Sequence, residues 1–283
     1  MYINGLNVVD NNSYSYCVDM LRLKCEISIT DFRNKVENRL NFYGDKITRW
    51  TSSQIGQFYY NYQFKCDDYS YWFGFISNKN ANGLQNLDKP RNLTIEFNPN
   101  KCKDDALILS ILSCSNQWTI KSIDFALDIK ENILNIIGFD KQKKSFLTTI
   151  DNGFDDKTYY MGVKNNRVKI YNKRIESKLD YDLTRIEITK YLDLDISDLT
   201  YFDFGYFPEL FFKNYQLDFT DTQVDGKMLA ILYAIDYGFP LHDLPRFYRN
   251  KVKDFLQQKK PIKIDFSCFA TSLKNYLCYY SLI

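Results

Sequence analysis

A single histidine, His242, stands in a chain of 283 residues. A serine-type triad therefore has just one possible base, and any metal motif that needs two imidazoles is excluded. His242 itself sits in FPLHDLPRF, a helix–turn setting that reads as a surface or capping position. Cysteine is present but unpatterned. Cys17, Cys25, Cys66, Cys102, Cys114, Cys268 and Cys278 are odd in number and form no CxxC pair. That argues against a zinc site or a disulfide framework and for small apolar residues in a reducing compartment. No apolar run approaches the roughly 20 residues needed to cross a bilayer. The opening MYINGLNVVDNN lacks a basic start followed by an apolar core, so no secretion signal is expected and the cytoplasm is the expected location.

Charge of either sign in excess is also missing. The net charge of +2 gives little support for a polyanionic partner, but the distribution is uneven. Between Lys157 and Lys178 there are seven Lys or Arg against Glu176 alone. Arg246–Lys263 carries another seven against Asp254. Such clusters can neutralise phosphates, although basic helix faces are as often simply solvated, and for the second cluster the two readings weigh equally. Asp193–Asp198 offsets them in the total.

What the chain does have is apolar and aromatic bulk, 45% and 17%, which excludes a disordered chain. Its length suffices for one large domain or two modest ones. Val18–Ile27 alternates as a strand, and Asp31–Tyr43 reads as a helix with Asp31 as N-cap. Tyr59–Ile76 reads as two strands around Cys66-Asp67-Asp68, and Asn78–Leu93 as loop. Leu107, Ile108, Ile111 and Leu112 recur at helical spacing within Lys103–Ser113. Tyr201–Phe219 is dense in aromatics, which favours packing over a platform for unpaired bases. Lys227–Tyr237 and Leu244–Gln258 read as helices.

The expected fold is α+β, a central, mostly antiparallel sheet flanked by helices, with a short helical C-terminal region. Residues 1–215 would form the main domain and 216–283 the helical region. A faint likeness between Val18–Ile27 and Ile123–Ile133 hints at two related halves, 1–110 and 111–215.

Three segments carry chemistry. Tyr159–Lys173, YYMGVKNNRVKIYNK, reads as two strands around a Lys164-Asn165-Asn166 turn. Alternation from Arg167 would put Arg167, Lys169, Tyr171 and Lys173 on one face. A phenol among three cations suits attack on a polyanion, because cations gather phosphate and ease ionisation of a hydroxyl whose free pKa is about 10. With 23 tyrosines in the chain, a solvated hairpin with a packing tyrosine is the commoner arrangement, and the hairpin alone favours it. Ser122–Lys130, SIDFALDIK, adds Asp124 and Asp128 on one strand face. Leu183–Thr189, LTRIEIT, adds Arg185 and Glu187. In one sheet these acids and Tyr171 could gather, and carboxylate oxygens suit Mg²⁺ or Mn²⁺. A metal there would polarise a phosphoryl group. A one-residue slip in the hairpin would turn Tyr159 or Tyr160 to that face instead.

NLTIEFNPNK (Asn92–Lys101), IDFALD (Ile123–Asp128), Tyr159–Lys173 and TRIEI (Thr184–Ile188) occur in this order and at similar spacing in one family. The chain resembles the staphylococcal-type plasmid rolling-circle initiators, Rep_trans, whose relatives include relaxases of some integrative elements. The match runs from about Leu21 to the C-terminus and is firm over Asn92–Lys190. VKNN after Gly162 departs from the usual Arg followed by Ser-Asp, and Leu183-Thr184 replaces a more usual aromatic. The resemblance implies that Tyr171 is the nucleophile that becomes joined to the nicked strand. By position it implies Asp124, Asp128 and Glu187 as metal ligands, which fits a chain that cannot use paired histidines. Arg167, Lys169, Lys173 and Arg185 are the cations expected to meet DNA at that site. Arg246, Arg249, Lys251 and Lys253 would read the origin toward the C-terminus. A homodimer and a host helicase partner are further implications. For EFNPN, Glu96 and Asn98 could flank the site, though an Asn98-Pro99-Asn100 turn fits better. The expected activity is nicking and strand transfer at a replication origin. The rivals are a conjugative relaxase with the same chemistry and a non-catalytic origin-binding protein.

Overall fold

Alternating apolar residues on long strands set the architecture, which is α+β with a mostly antiparallel sheet. The computed structural model describes residues 8–9, 14–50, 58–67, 69–77, 89–102, 105–139, 148–151, 157–161, 166–198, 209–212, 225–236, 239, 241–257 and 262–283. The loop reading at 78–88, the turn after Gly162 and most of Tyr201–Phe219 lie outside them, as does the His242 side chain. Two compact units make up the chain. One comprises Met1–Leu127, Ile188–Phe204 and Phe266–Ile283; the other comprises Asp128–Glu187 and Gly205–Asp265. They cut across the expected boundary at residue 215, because the last helix belongs with the first strands rather than with the helices that precede it.

The first unit is built on strands β1 (Val8–Val9), β2 (Tyr14–Ile27), β3 (Ile47–Trp50), β4 (Phe58–Lys65), β5 (Ser70–Ser77) and β6 (Arg91–Phe97). Its strand order is β3-β4-β5-β6-β2, with β1 antiparallel to β2, and β7 (Thr119–Ile129) follows β2. Pairing is antiparallel, with Arg22 opposite Glu96 and Trp72 opposite Glu96. Leu21, Leu23, Phe73, Phe75, Leu93, Ile95 and Phe97 are wholly buried, as period-two alternation requires of the core face.

Helix α1 spans 29–40, with one π-helical stretch at Arg33–Glu37, and α2 spans Ala106–Leu112. Ser28, not Asp31, caps α1: its Oγ accepts the Asp31 N–H at 3.0 Å. A serine three residues before that acid competes better because its short hydroxyl reaches the N3 amide. Phe32 stacks on Phe75 at 4.2 Å. The final helix (Phe266–Tyr279) brings Phe269 against Tyr16 and Phe125, with centroids 5.0 and 5.1 Å away.

The Asn98-Pro99-Asn100 segment is a turn. Asn98 Oδ1 accepts the N–H of Asn100 and Lys101, and its Nδ2 donates to Asp19. Asn100 Nδ2 donates to the Val18 carbonyl, and the Tyr276 hydroxyl bonds Asn100 Oδ1. Glu96 pairs with Arg22. EFNPN therefore pins β6 to β2 and to the last helix.

The second unit contains β8 (Ile136–Phe139), β9 (Thr148–Asp151), β10 (Lys157–Met161), β11 (Asn166–Asn172) and the start of β12 (Thr184–Asp195). The order is β12-β11-β10-β9, and β8 pairs separately with β13 (Glu209–Phe212). Helix α3 (Lys173–Ser177) follows β11 directly, and α4 (Gly226–Asp236) packs with α5 (Arg246–Gln257). Met228, Leu232, Ile235 and Val252 form the core of that helix pair. The last helix, α6, is the Phe266–Tyr279 element of the first unit. Among the described residues no helix is long and apolar enough to cross a membrane.

Candidate active site

β10 and β11 form the hairpin anticipated from alternation, with Thr158 opposite Tyr171 and Tyr160 opposite Lys169. Directly paired residues share a face, so Tyr160 stands with Lys169 and Tyr171, whereas Tyr159 pairs with Ile170 on the other side. Val168 and Ile170 are buried beneath the hairpin.

Tyr171 itself is 7% exposed. Lys169 Nζ lies 4.0 Å from its ring centroid and Lys173 Nζ 5.8 Å from it. An ammonium over an aromatic face is held by the ring quadrupole and also favours a phenolate over a phenol. Arg167, exposed farther along β11, sits 4.0 Å over the Tyr160 ring.

Lys173 is not on the strand. Asn172 ends β11, and its side chain accepts the Arg174 N–H at 3.1 Å, capping α3, so Lys173 is the first residue of that helix. Asparagine is a strong N-cap, and it overrides the alternation that would have continued the strand. The backbone N–H of Lys173 also donates to the Leu183 carbonyl at 2.8 Å, fixing α3 against the chain that leads into β12.

The acids meet cations. Asp128 and Arg185 form a forked pair, Nε to Oδ1 and Nη2 to Oδ2, each 2.7 Å, with side chains only 15% and 10% exposed. Arg185 thus places its guanidinium on Asp128 rather than at the surface where a phosphate would meet it. Glu187 Oε2 lies 3.8 Å from Lys169 Nζ. Asp124 lies half-buried on β7 within the first unit, among buried Ile123 and Phe125.

Glu176, absent from the sequence-derived site, is on α3 with Oε2 2.7 Å from Lys173 Nζ. Its carboxylate also takes a hydrogen bond from the Tyr171 hydroxyl. Burial alone would raise its pKa. The Lys173 bond and charge, then the Tyr171 bond and the Arg185 charge, outweigh burial and hold it below the usual glutamate value. The signal that could have found it is its place as the lone acid among seven cations, three residues after Lys173 on a helix.

A divalent cation needs several oxygens converging at about 2.0–2.6 Å. Among the described residues no group of three or more His, Cys, Asp or Glu is arranged to hold one. Both Asp128 oxygens are engaged by Arg185. Within the second unit, Asp128 and Glu187 each lie against a cation.

No family model matches the chain, and no curated protein matches it. Among solved structures, it is similar to a rolling circle replication initiator protein from Geobacillus stearothermophilus, at 15% identity and a TM-score of 0.38, over 86% of this chain and 97% of that one.

Proposed function

We propose that this chain is a replication initiator of a plasmid or mobile element, nicking and rejoining DNA through a covalent 5′-phosphotyrosine. The observation that carries the reading is Tyr171, in an IYNK sequence, lying beneath the ammonium groups of Lys169 and Lys173. Those ammonium groups would attract a phosphodiester to the atom that would attack it. In the proposed reaction the Tyr171 oxygen bonds to phosphorus and the 3′ oxygen departs as a hydroxyl that a polymerase can extend. The ester keeps the bond energy, so the same tyrosine can rejoin the strand; hydrolysis would lose it. Arg167 and the exposed cations of α5 would hold the backbone. A Mg²⁺ or Mn²⁺ requirement, a homodimer and a helicase partner belong to the proposal through the resemblance, and no step above is routed through the metal.

The test is a covalent-adduct assay. Supercoiled plasmid carrying the chain's own gene and flanks is incubated with protein and Mg²⁺ or Mn²⁺, then denatured and run beside Tyr171→Phe. An SDS-resistant protein–DNA species is expected, lost in the mutant. If nicking persists in the mutant, the nucleophile is another residue, and Tyr160 on the same face is the first to replace. A second reading, an origin-binding protein without nicking, is favoured by the slight exposure of Tyr171. DNA retention without adduct under any metal selects it. A relaxase shares the chemistry and would act at a transfer origin instead.

A further inference from the structure

The Glu176 carboxylate is hydrogen-bonded by the Tyr171 hydroxyl and lies 2.7 Å from Lys173 Nζ. Asn172 starts α3 at once, which puts Glu176 in the first turn of the helix, close in sequence to Tyr171. Lys173 Nζ lies 2.7 Å from Glu176 Oε2 and 5.8 Å from the Tyr171 ring, so one ammonium attends both acid and phenol. Asp128 is forked by Arg185, and Glu187 neighbours Lys169, so each of those acids has a separate cation.

We infer that Glu176 is the general base of the Tyr171 reaction, and this rests on Tyr171 being the nucleophile. The phenolic proton passes to the Glu176 carboxylate as the phenol oxygen forms its bond to phosphorus. The P–O3′ bond breaks with its electron pair on O3′. The proton then moves from Glu176 to O3′, giving the 3′ hydroxyl, and rejoining runs these transfers in reverse. A resting phenol, pKa about 10, would give its proton to a carboxylate only uphill. A phenol oxygen already bonding to phosphorus is far more acidic, so a carboxylate serves, as an aspartate does for the attacking hydroxyl in protein kinases. The Lys173 contact keeps Glu176 ionised at neutral pH and ready to accept.

The experiment follows the initial rate of SDS-resistant adduct on the supercoiled plasmid, with DNA retention measured in parallel. Glu176→Gln keeps the shape and a hydrogen-bond acceptor but cannot take the proton. It is expected to slow adduct formation about 10²–10⁴-fold with retention unchanged. Glu176→Asp, which restores a carboxylate, is expected to recover part of the rate. Wild-type rates in Glu176→Gln, beside a silent Tyr171→Phe, overturn the inference and leave the nucleophile standing. Equal losses in Gln and Asp, with a lowered unfolding midpoint, also overturn it by assigning Glu176 a structural role. Adduct from Tyr171→Phe overturns the nucleophile reading itself.

Discussion

In the first unit Asp105 accepts the hydroxyls of Tyr69 and Tyr71 at 2.8 and 3.0 Å while capping α2 through the N–H groups of Leu107 and Ile108. In the second, Tyr171 lies beneath two lysines. Burial first, and the negative Asp105 second, push the Tyr71 phenol far above its ordinary pKa; for Tyr69 burial and the Asp105 bond do the same. Those hydroxyls stay protonated and serve as donors. Around Tyr171 the nearby acids are matched with cations: Asp128 with Arg185, Glu187 with Lys169, Glu176 with Lys173. Tyr71 and Tyr171 both meet a carboxylate, but at Tyr171 lysines also lie near the ring and bond or neighbour the acids. The residue name alone does not separate a nucleophile from a structural donor.

The largest expected effect breaks the pairing in the second unit. Asp128→Asn leaves the buried Arg185 guanidinium without its counter-charge, and removing one partner of such a pair costs about 3–5 kcal/mol. Urea unfolding in EDTA measures it. A carboxylate whose role was confined to holding a metal would show no loss under those conditions, so this variant separates ion-pair partner from ligand.

A smaller change breaks the first-unit half of the comparison. Tyr71→Phe deletes one phenolic donor to the buried Asp105, at a cost of about 1–3 kcal/mol. Adduct formation at a temperature where the variant is folded is expected to match the unaltered protein. A stability loss coupled to lost nicking would erase the distinction between the two kinds of phenol.

Strands β2, β7, β11 and β12 were legible from alternation, and β4 and β5 from an aromatic run split at Cys66-Asp67-Asp68. Helix α2 was legible from its spacing, and α4 and α5 lie close to the helices read at Lys227–Tyr237 and Leu244–Gln258. The strand end at Tyr171 was not. Extending the alternation to Lys173 overlooked Asn172, whose capping preference is itself a local signal, and with it the route by which Glu176 reaches the phenol. The Asp128–Arg185 fork was hidden for a different reason. Alternation says which face a residue takes but not which residue of the neighbouring strand it meets, and register is set by the whole sheet. The same limit applies to EFNPN: its turn could be read from Asn98-Pro99-Asn100, but its bonds to Asp19, Val18 and Tyr276 join segments that are distant in sequence.

The smallest effect concerns cations that lie at the surface rather than beside an acid. On α5, Val252 faces the helix-pair core while Arg246 and Lys251 are exposed, with Lys251 Nζ 4.9 Å over the ring of Phe247, itself 62% exposed. Arg249 and Lys253 are half-buried on the flank of the same helix. Arg246→Gln and Lys251→Gln should leave the unfolding midpoint unchanged, since neither side chain contributes to the Met228–Leu232–Ile235–Val252 core. If each cation neutralises one phosphate, each substitution lowers the slope of log affinity against log salt by about 1, uniformly across DNA sequences. Adduct rates at saturating DNA should not move, because α5 binds in this account and Tyr171 reacts. A slope that stays fixed in both variants would make the α5 face an ordinary solvated surface, and the electrostatic grip on DNA would then fall to the hairpin, where Arg167 is the exposed cation to replace next.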